Sequence, residues 1–117
     1  VLLKISENNQ LVVTVTNRSV TELDLKPGRT VMAFVKASLV TLLPFETAPE
    51  ILNRNEFQGT VTNRTDGEIN AEISVDIGEG KTIVAVIAKE SADNMALAVG
   101  VAVRSLLKPS HIVLATY

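Results

Sequence analysis

Ile69-Asn70-Ala71-Glu72-Ile73-Ser74-Val75-Asp76-Ile77 alternates apolar and polar residues without a break. That is the pattern of a strand with one buried face. Gly78-Glu79-Gly80-Lys81 then supplies turn chemistry, and Thr82–Ala88 returns as a more continuously apolar strand. The same hairpin occurs earlier in the chain, as Val1–Ile5, Ser6–Asn9 and Gln10–Thr16. Val1–Leu42 aligns with Ile73–Leu114 at an offset of 72 residues with no gap. The identities are Ile5/Ile77, Glu7/Glu79, Val12/Val84, Ser19/Ser91, Leu25/Leu97, Gly28/Gly100, Val31/Val103, Lys36/Lys108, Ser38/Ser110 and Leu42/Leu114, 10 of 42 positions. An internal repeat of this kind governs how the whole fold is read.

After the hairpin, Ser19–Leu25 and Ser91–Leu97 are each long enough for one or two helical turns. Lys26-Pro27-Gly28-Arg29 is expected to stop the first at a tight turn, and Gly100 lies at the matching point of the second. Strands follow at Val31–Val35 and Val101–Leu107, then at Leu39–Leu43 and Ile112–Thr116. The second copy also has an opening strand, Phe57–Thr62, and a turn around Asp66-Gly67; the first copy has no counterpart to it. A complete unit reads strand, strand, strand, short helix, strand, strand. Five strands with a helix after the third is the plan of an OB-type barrel. The expectation is an all-β fold with short helices, two OB-like five-stranded barrel units in tandem. The first spans 1–44 and lacks its N-terminal strand region, 45–50 is a linker, and the second unit spans 51–117.

The chain has 117 residues, 46% of them apolar but only 3% aromatic, so Val, Ile, Leu and Ala must fill the core. A net charge of −2 leaves no electrostatic footprint for nucleic acid. Without cysteine there is neither a disulfide framework nor a thiolate metal site. The apolar runs Val31–Leu43 and Met95–Leu107 are broken by Lys36 and Arg104, short of the ~18 residues that suggest a membrane span. The chain opens on Val, and the expectation is a part of a longer polypeptide.

Polar residues recur at strand ends: Thr16-Asn17-Arg18-Ser19 with Ala88-Lys89-Glu90-Ser91, and Val35-Lys36-Ala37-Ser38 with Leu107-Lys108-Pro109-Ser110. Asn53-Arg54-Asn55 precedes the second unit's first strand. Ser19-Val20-Thr21-Glu22 fits a capping box, so Ser19 reads first as a helix cap and second as an anion ligand. A lysine at a strand end is commonly solvated. Lys-x-Ser, however, is retained in both copies where most neighbours differ. An ammonium, a hydroxyl and backbone N–H groups together suit a compact tetrahedral oxyanion. His111 is the sole histidine, which excludes a multi-histidine metal site; it reads as a strand residue. Glu68, Glu72, Asp76 and Glu79 read as a solvent face and its turn. Phe34, Phe45, Phe57 and Tyr117 are too few for a base-stacking surface.

These residues resemble the molybdate/tungstate-binding Mop domain, also called TOBE. Its marks are a Ser-Ala-Arg-Asn opening, a Gly-Thr-Val first strand, an Asn-Ala-Glu-Val second strand, a Thr-x-Glu-Ser before the helix and a final Val-Lys-Ala-Ser. In order, this chain has Leu52-Asn53-Arg54-Asn55, Gly59-Thr60-Val61, Asn70-Ala71-Glu72-Ile73, Ile87-Ala88-Lys89-Glu90-Ser91 and Leu107-Lys108-Pro109-Ser110. The resemblance covers nearly the whole chain. It implies oxyanion binding without catalysis, with molybdate or tungstate as the ligand. The first unit would contribute Thr16, Ser19, Lys36, Ala37 and Ser38; the second would contribute Arg54, Asn55, Ser91, Lys108 and Ser110. Leu52 and Ala88 replace two hydroxyl residues of the family pattern, so the first unit would keep the better ligand half.

The resemblance further implies a cytoplasmic homo-oligomer, dimer or higher, with sites between subunits, no membrane association, and no nucleic-acid contact by this segment. The favoured parent is a molybdate-responsive transcriptional regulator, of which this would be the sensor part. A free-standing storage protein and an accessory domain of a molybdate-transporter ATPase are the alternatives. A reading of another class is an oligomerisation module without a ligand.

Overall fold

Gly59 lies on the long strand β5 (Asn55–Asp66) where its backbone meets a neighbouring strand too closely for any side chain. A Cβ there would lie 2.4 Å from the carbonyl oxygen of Asp76 and 2.7 Å from Cγ1 of Val75. The contact arises because β5 serves two partners. Its first half, Asn55–Thr60, pairs antiparallel with β8 (Ala102–Leu107), and its second half pairs with β6 (Asn70–Gly78). A register shift between Val61 and Asn63 bends the strand from one partner to the other, as a bulge does. The sheet therefore curls into a half-barrel. In this computed structural model, residues 1–5, 10–46 and 55–116 are described.

The remaining elements are β1 (Leu2–Lys4), β2 (Gln10–Val12), α1 (Asn17–Glu22), β3 (Val31–Val35), a 3₁₀ turn at Ala37–Leu39 and β4 (Thr41–Pro44). After β6 come β7 (Lys81–Ala88), α2 (Lys89–Asn94), β8, a second 3₁₀ turn at Pro109–His111 and β9 (Ile112–Thr116). The 72-residue offset holds in three dimensions. α1 and α2 superpose in sequence, as do the two 3₁₀ turns, and Leu3↔Leu11 in β1–β2 answers Val75↔Ile83 in β6–β7. The fold is mostly β with short helices, as the sequence indicates, and its order of elements is that of an OB-like barrel.

The last strand of each repeat crosses to the other. β4 from the first repeat pairs with β8, giving the five-stranded order β4-β8-β5-β6-β7. β9 from the second repeat pairs with β3. The exchange is reciprocal to the residue: Thr41↔Leu106 on one side matches Phe34↔Val113 on the other. The core joins both repeats. Val13, Val40 and Leu42 are buried in one cluster with Ile73, Val75, Ala85, Val103 and Leu114. Along β6, buried Ala71, Ile73, Val75 and Ile77 alternate with exposed Glu72 and Asp76, which confirms the period-two reading.

Several local boundaries differ from those expected. α1 begins at Asn17, two residues ahead of Ser19, because Thr16 is its N-cap. Ser19 is the third helical residue, so Ser19-Val20-Thr21-Glu22 is not a capping box. The helix is stopped by Asp24 in the left-handed region (φ 51°), before Lys26–Arg29 is reached. Leu25 N–H donates to Val20 C=O and Asp24 N–H to Thr21 C=O, a Schellman ending. α2 ends in the same way, with Ala96 at φ 51° and Leu97 N–H donating to Ala92 C=O. Leu39 and His111 belong to the 3₁₀ turns and not to the strands that follow, because their N–H groups donate back to Lys36 and Lys108 C=O. β2 ends at Val12, short of Thr16. The expected turn at Ser6–Asn9, most of the linker (47–50), Arg54 and Tyr117 lie outside the described residues.

Candidate functional site

Strand exchange decides which polar residues become neighbours. The second 3₁₀ turn docks on the first repeat, where Thr14 N–H donates to Pro109 C=O at 3.1 Å. Lys108, Pro109 and Ser110 thus meet the segment that runs two residues on into Thr16 and α1. The first 3₁₀ turn, bearing Ala37 and Ser38 after Lys36, packs against β7, which leads into Ser91 on α2. Each Lys-x-Ser turn therefore faces the pre-helix segment of the other repeat. Thr16 and Ser19 follow the Thr14–Pro109 contact by two and five residues in sequence, and Ser91 lies three residues beyond the end of β7, the strand on which the turn of Ala37 and Ser38 packs.

The first pairing is richer in hydroxyls. Thr16 Oγ1 accepts from Ser19 N–H at 3.0 Å, and its own hydroxyl donates to Ser19 Oγ at 3.0 Å. The Ser19 hydroxyl proton then has no acceptor among the described residues and can be offered to a ligand. At the second helix Ala88 holds the N-cap position with no side-chain bond. Lys36 and Lys108 are exposed, and neither forms an ion pair with a described residue. Ser38 and Ser110 are also exposed. Among the described residues no cluster of acidic or imidazole groups could hold a bare metal cation. The arrangement offers donors, which suits an anion.

Asn55 has a structural role that the sequence reading does not foresee. It is buried, its Nδ2 donates to Val12 C=O at 2.9 Å and to Leu107 C=O at 3.2 Å, and its Oδ1 accepts from Val12 N–H at 2.7 Å. Its amide protons are occupied in holding β2 of one repeat to β8 of the other. The signal was available in the sequence: Asn55 is in phase with Phe57 and Val61, which face the core. His111 Nδ1, one residue beyond Ser110, is buried without a partner among the described residues.

Two arginines fix the periphery. Arg64 donates to Asp66 at 2.8 Å, Asp93 at 2.5 Å and Leu97 C=O at 2.7 Å, tying α2 to β5. Its hydrogen bonds to Asp66 and then Asp93 push the guanidinium above its ordinary pKa, so it stays charged. Arg104 bonds Glu56 and Phe45 C=O and lies over the Phe45 ring, which holds the exit of β4.

This architecture has known counterparts. A crystal structure of the cytoplasmic molybdate-binding protein ModG with molybdate bound superposes with a TM-score of 0.89 at 29% identity, over 93% of this chain and 77% of that one. The molybdenum-pterin-binding protein MopA of Rhodobacter capsulatus is 43% identical across 97% of the chain, and the molybdenum transport protein ModE of Azotobacter vinelandii is 30% identical across 100% of it. The chain spans 43% of the length of each of these two relatives. The sequence pattern of the TOBE domain matches residues 1–42 and 53–114. That match takes in most of the molecule, and the chain accordingly belongs to the TOBE domain family, whose members here are binding proteins and not enzymes.

Proposed function

We propose that this chain binds molybdate or tungstate as an intact tetrahedral oxyanion, at polar turns shared between its two repeats. The observation that carries the reading is the Thr14 N–H to Pro109 C=O hydrogen bond, which seats Lys108-Pro109-Ser110 beside the segment of Thr16 and Ser19. An oxyanion is an acceptor only, and this junction supplies an ammonium and hydroxyl donors. The reciprocal junction joins Lys36, Ala37 and Ser38 to Ser91, with one hydroxyl fewer because Ala88 replaces the threonine. By this reading the stronger site draws on both repeats, and Lys108 matters more to it than Lys36. Arg54 would be an additional ligand; Asn55 would act by positioning, since its amide is engaged elsewhere.

ModG binds molybdate, and MopA and ModE are named for molybdenum. Within that class we favour the effector-binding part of a molybdate-responsive regulator, in which ligand biases one of two states by binding it better. The likeness to ModE across the whole of this chain supports this setting. A free-standing molybdate-binding protein is the second reading, favoured by the 77% share of ModG that the chain covers. In both settings the assembly is a homo-oligomer.

Thermal melting with molybdate, tungstate and sulfate tests the ligand. Molybdate and tungstate should raise the melting temperature and sulfate should not, because a ligand that binds only the folded form stabilises it. A melting temperature indifferent to millimolar molybdate would sink the proposal and leave the oligomerisation module standing.

A further inference from the structure

The two junctions each lack one hydrogen-bond donor, at different places. Both Lys-x-Ser turns start from the same backbone: Lys36 lies at φ −69°, ψ 128° and Lys108 at φ −72°, ψ 128°. In the first turn Leu39 N–H closes on Lys36 C=O and Val40 N–H on Ala37 C=O. The N–H groups of Ala37 and Ser38 are left without an acceptor among the described residues. In the second turn His111 N–H closes on Lys108 C=O, and Ser110 N–H is left in the same state. Pro109 has no N–H at all. The middle residue of Lys-x-Ser therefore adds a donor to the first turn and none to the second.

The position before each helix differs in the opposite sense. Thr16 carries a hydroxyl and Ala88 does not. Thr16 lies two residues beyond the Thr14 N–H that bonds Pro109 C=O, and Ala88 ends β7, the strand on which the turn of Ala37 packs. One junction thus sets threonine with proline and the other sets alanine with alanine. Each has a hydroxyl or an N–H at this pair of positions, and neither has both. Along the 72-residue offset Thr16 aligns with Ala88 and Ala37 with Pro109, so the pairs emerge only once the strands are exchanged.

We infer that Thr16 and Pro109 act as a compensating pair, with Ala88 and Ala37 as its mirror: the Thr16 hydroxyl gives the oxyanion the bond that Pro109 cannot. This rests on the oxyanion reading above and names the positions that let two unlike junctions serve it. The hydroxyl is free to do so. Its oxygen can keep accepting from Ser19 N–H while its proton turns from Ser19 Oγ to a ligand. The proline is accommodated without strain, since Lys108 already has the extended backbone required before proline. The contact to Thr14 uses the Pro109 carbonyl, which any residue supplies.

The experiment titrates molybdate into the chain and follows the amide signals of Ser110 and Ser38 by NMR, one for each junction. Thr16→Ala should raise the midpoint at Ser110 roughly tenfold, the worth of one hydrogen bond to a charged group, and leave Ser38 unmoved. Adding Pro109→Ala should bring the Ser110 midpoint back to within about threefold of the starting value, because the new N–H replaces the lost hydroxyl. A proline that merely stiffened the turn would give a further loss on replacement. Ala37→Pro should raise the Ser38 midpoint by a similar factor, and Ala88→Thr should reverse it. Melting curves without oxyanion show whether any of these changes follows unfolding instead. If the unaltered chain binds molybdate but neither second substitution recovers the first, the pairing is overturned and the oxyanion reading stands. If neither amide responds to molybdate in the unaltered chain, both fall.

Discussion

The Asn55 carboxamide bonds to both the N–H and the C=O of Val12, so one side chain stands in for a strand at the edge of β2. Its second amide proton reaches Leu107 C=O, which joins the two repeats through a single buried group. Replacing Asn55 with alanine removes three buried or half-buried hydrogen bonds to the backbone of Val12 and Leu107. The expected loss is about 3 kcal/mol, measured by urea denaturation. Asn55→Asp should not rescue it, because a carboxylate cannot donate to the Val12 and Leu107 carbonyls.

Gly59→Ala should destabilise by more than about 2 kcal/mol, since the new methyl meets the Asp76 backbone and strands cannot yield as a flexible side chain can. Gly67→Ala is the control: its Cβ would meet Asn70 C=O at 3.2 Å, a contact that a small shift relieves. A Gly59→Ala loss no larger than that of Gly67→Ala would refute the close-crossing account.

Thr16 and Ala88 occupy the same cap position with and without a side-chain acceptor. Thr16→Ala should cost about 1 kcal/mol and Ala88→Thr should gain a similar amount. Both are read from melting curves. If the hydroxyl also serves the oxyanion, Thr16→Ala will weaken molybdate binding beyond what its stability loss explains.

Strand exchange makes a distinctive prediction for the proposed ligand. Ser19→Ala and Lys108→Ala should be non-additive in molybdate titrations, with an interaction free energy of about 0.5–3 kcal/mol. Ser19→Ala and Lys36→Ala should be additive. The reverse pattern would return the site to a single repeat.

The alternation in Ala71–Ile77 and the 72-residue repeat were enough to place the strands and the OB-like plan, because burial on one face leaves a period that can be read directly; Ile69 continues that period in sequence but lies in the turn before β6 and is 76% exposed. Cap positions were less legible. Ser19-Val20-Thr21-Glu22 has the letters of a capping box, but Thr16 three residues earlier provides an equally good acceptor, and only backbone geometry chooses between them. The exchange of β4 and β9 left no mark in the sequence. Thr41–Pro44 and Ile112–Thr116 are both short and apolar, so each could pair with either repeat, and long-range register makes the choice. For the same reason the candidate site residues could be recognised one by one but not grouped.

The exchanged strands also change what dilution can do to this protein. Two separate single-repeat chains that traded their last strands would assemble and fall apart with concentration. Here the connector after β4 makes the trade intramolecular, at an effective concentration in the millimolar range for a short linker. The seam between the repeats, and the polar turns it positions, therefore persists however scarce the protein becomes.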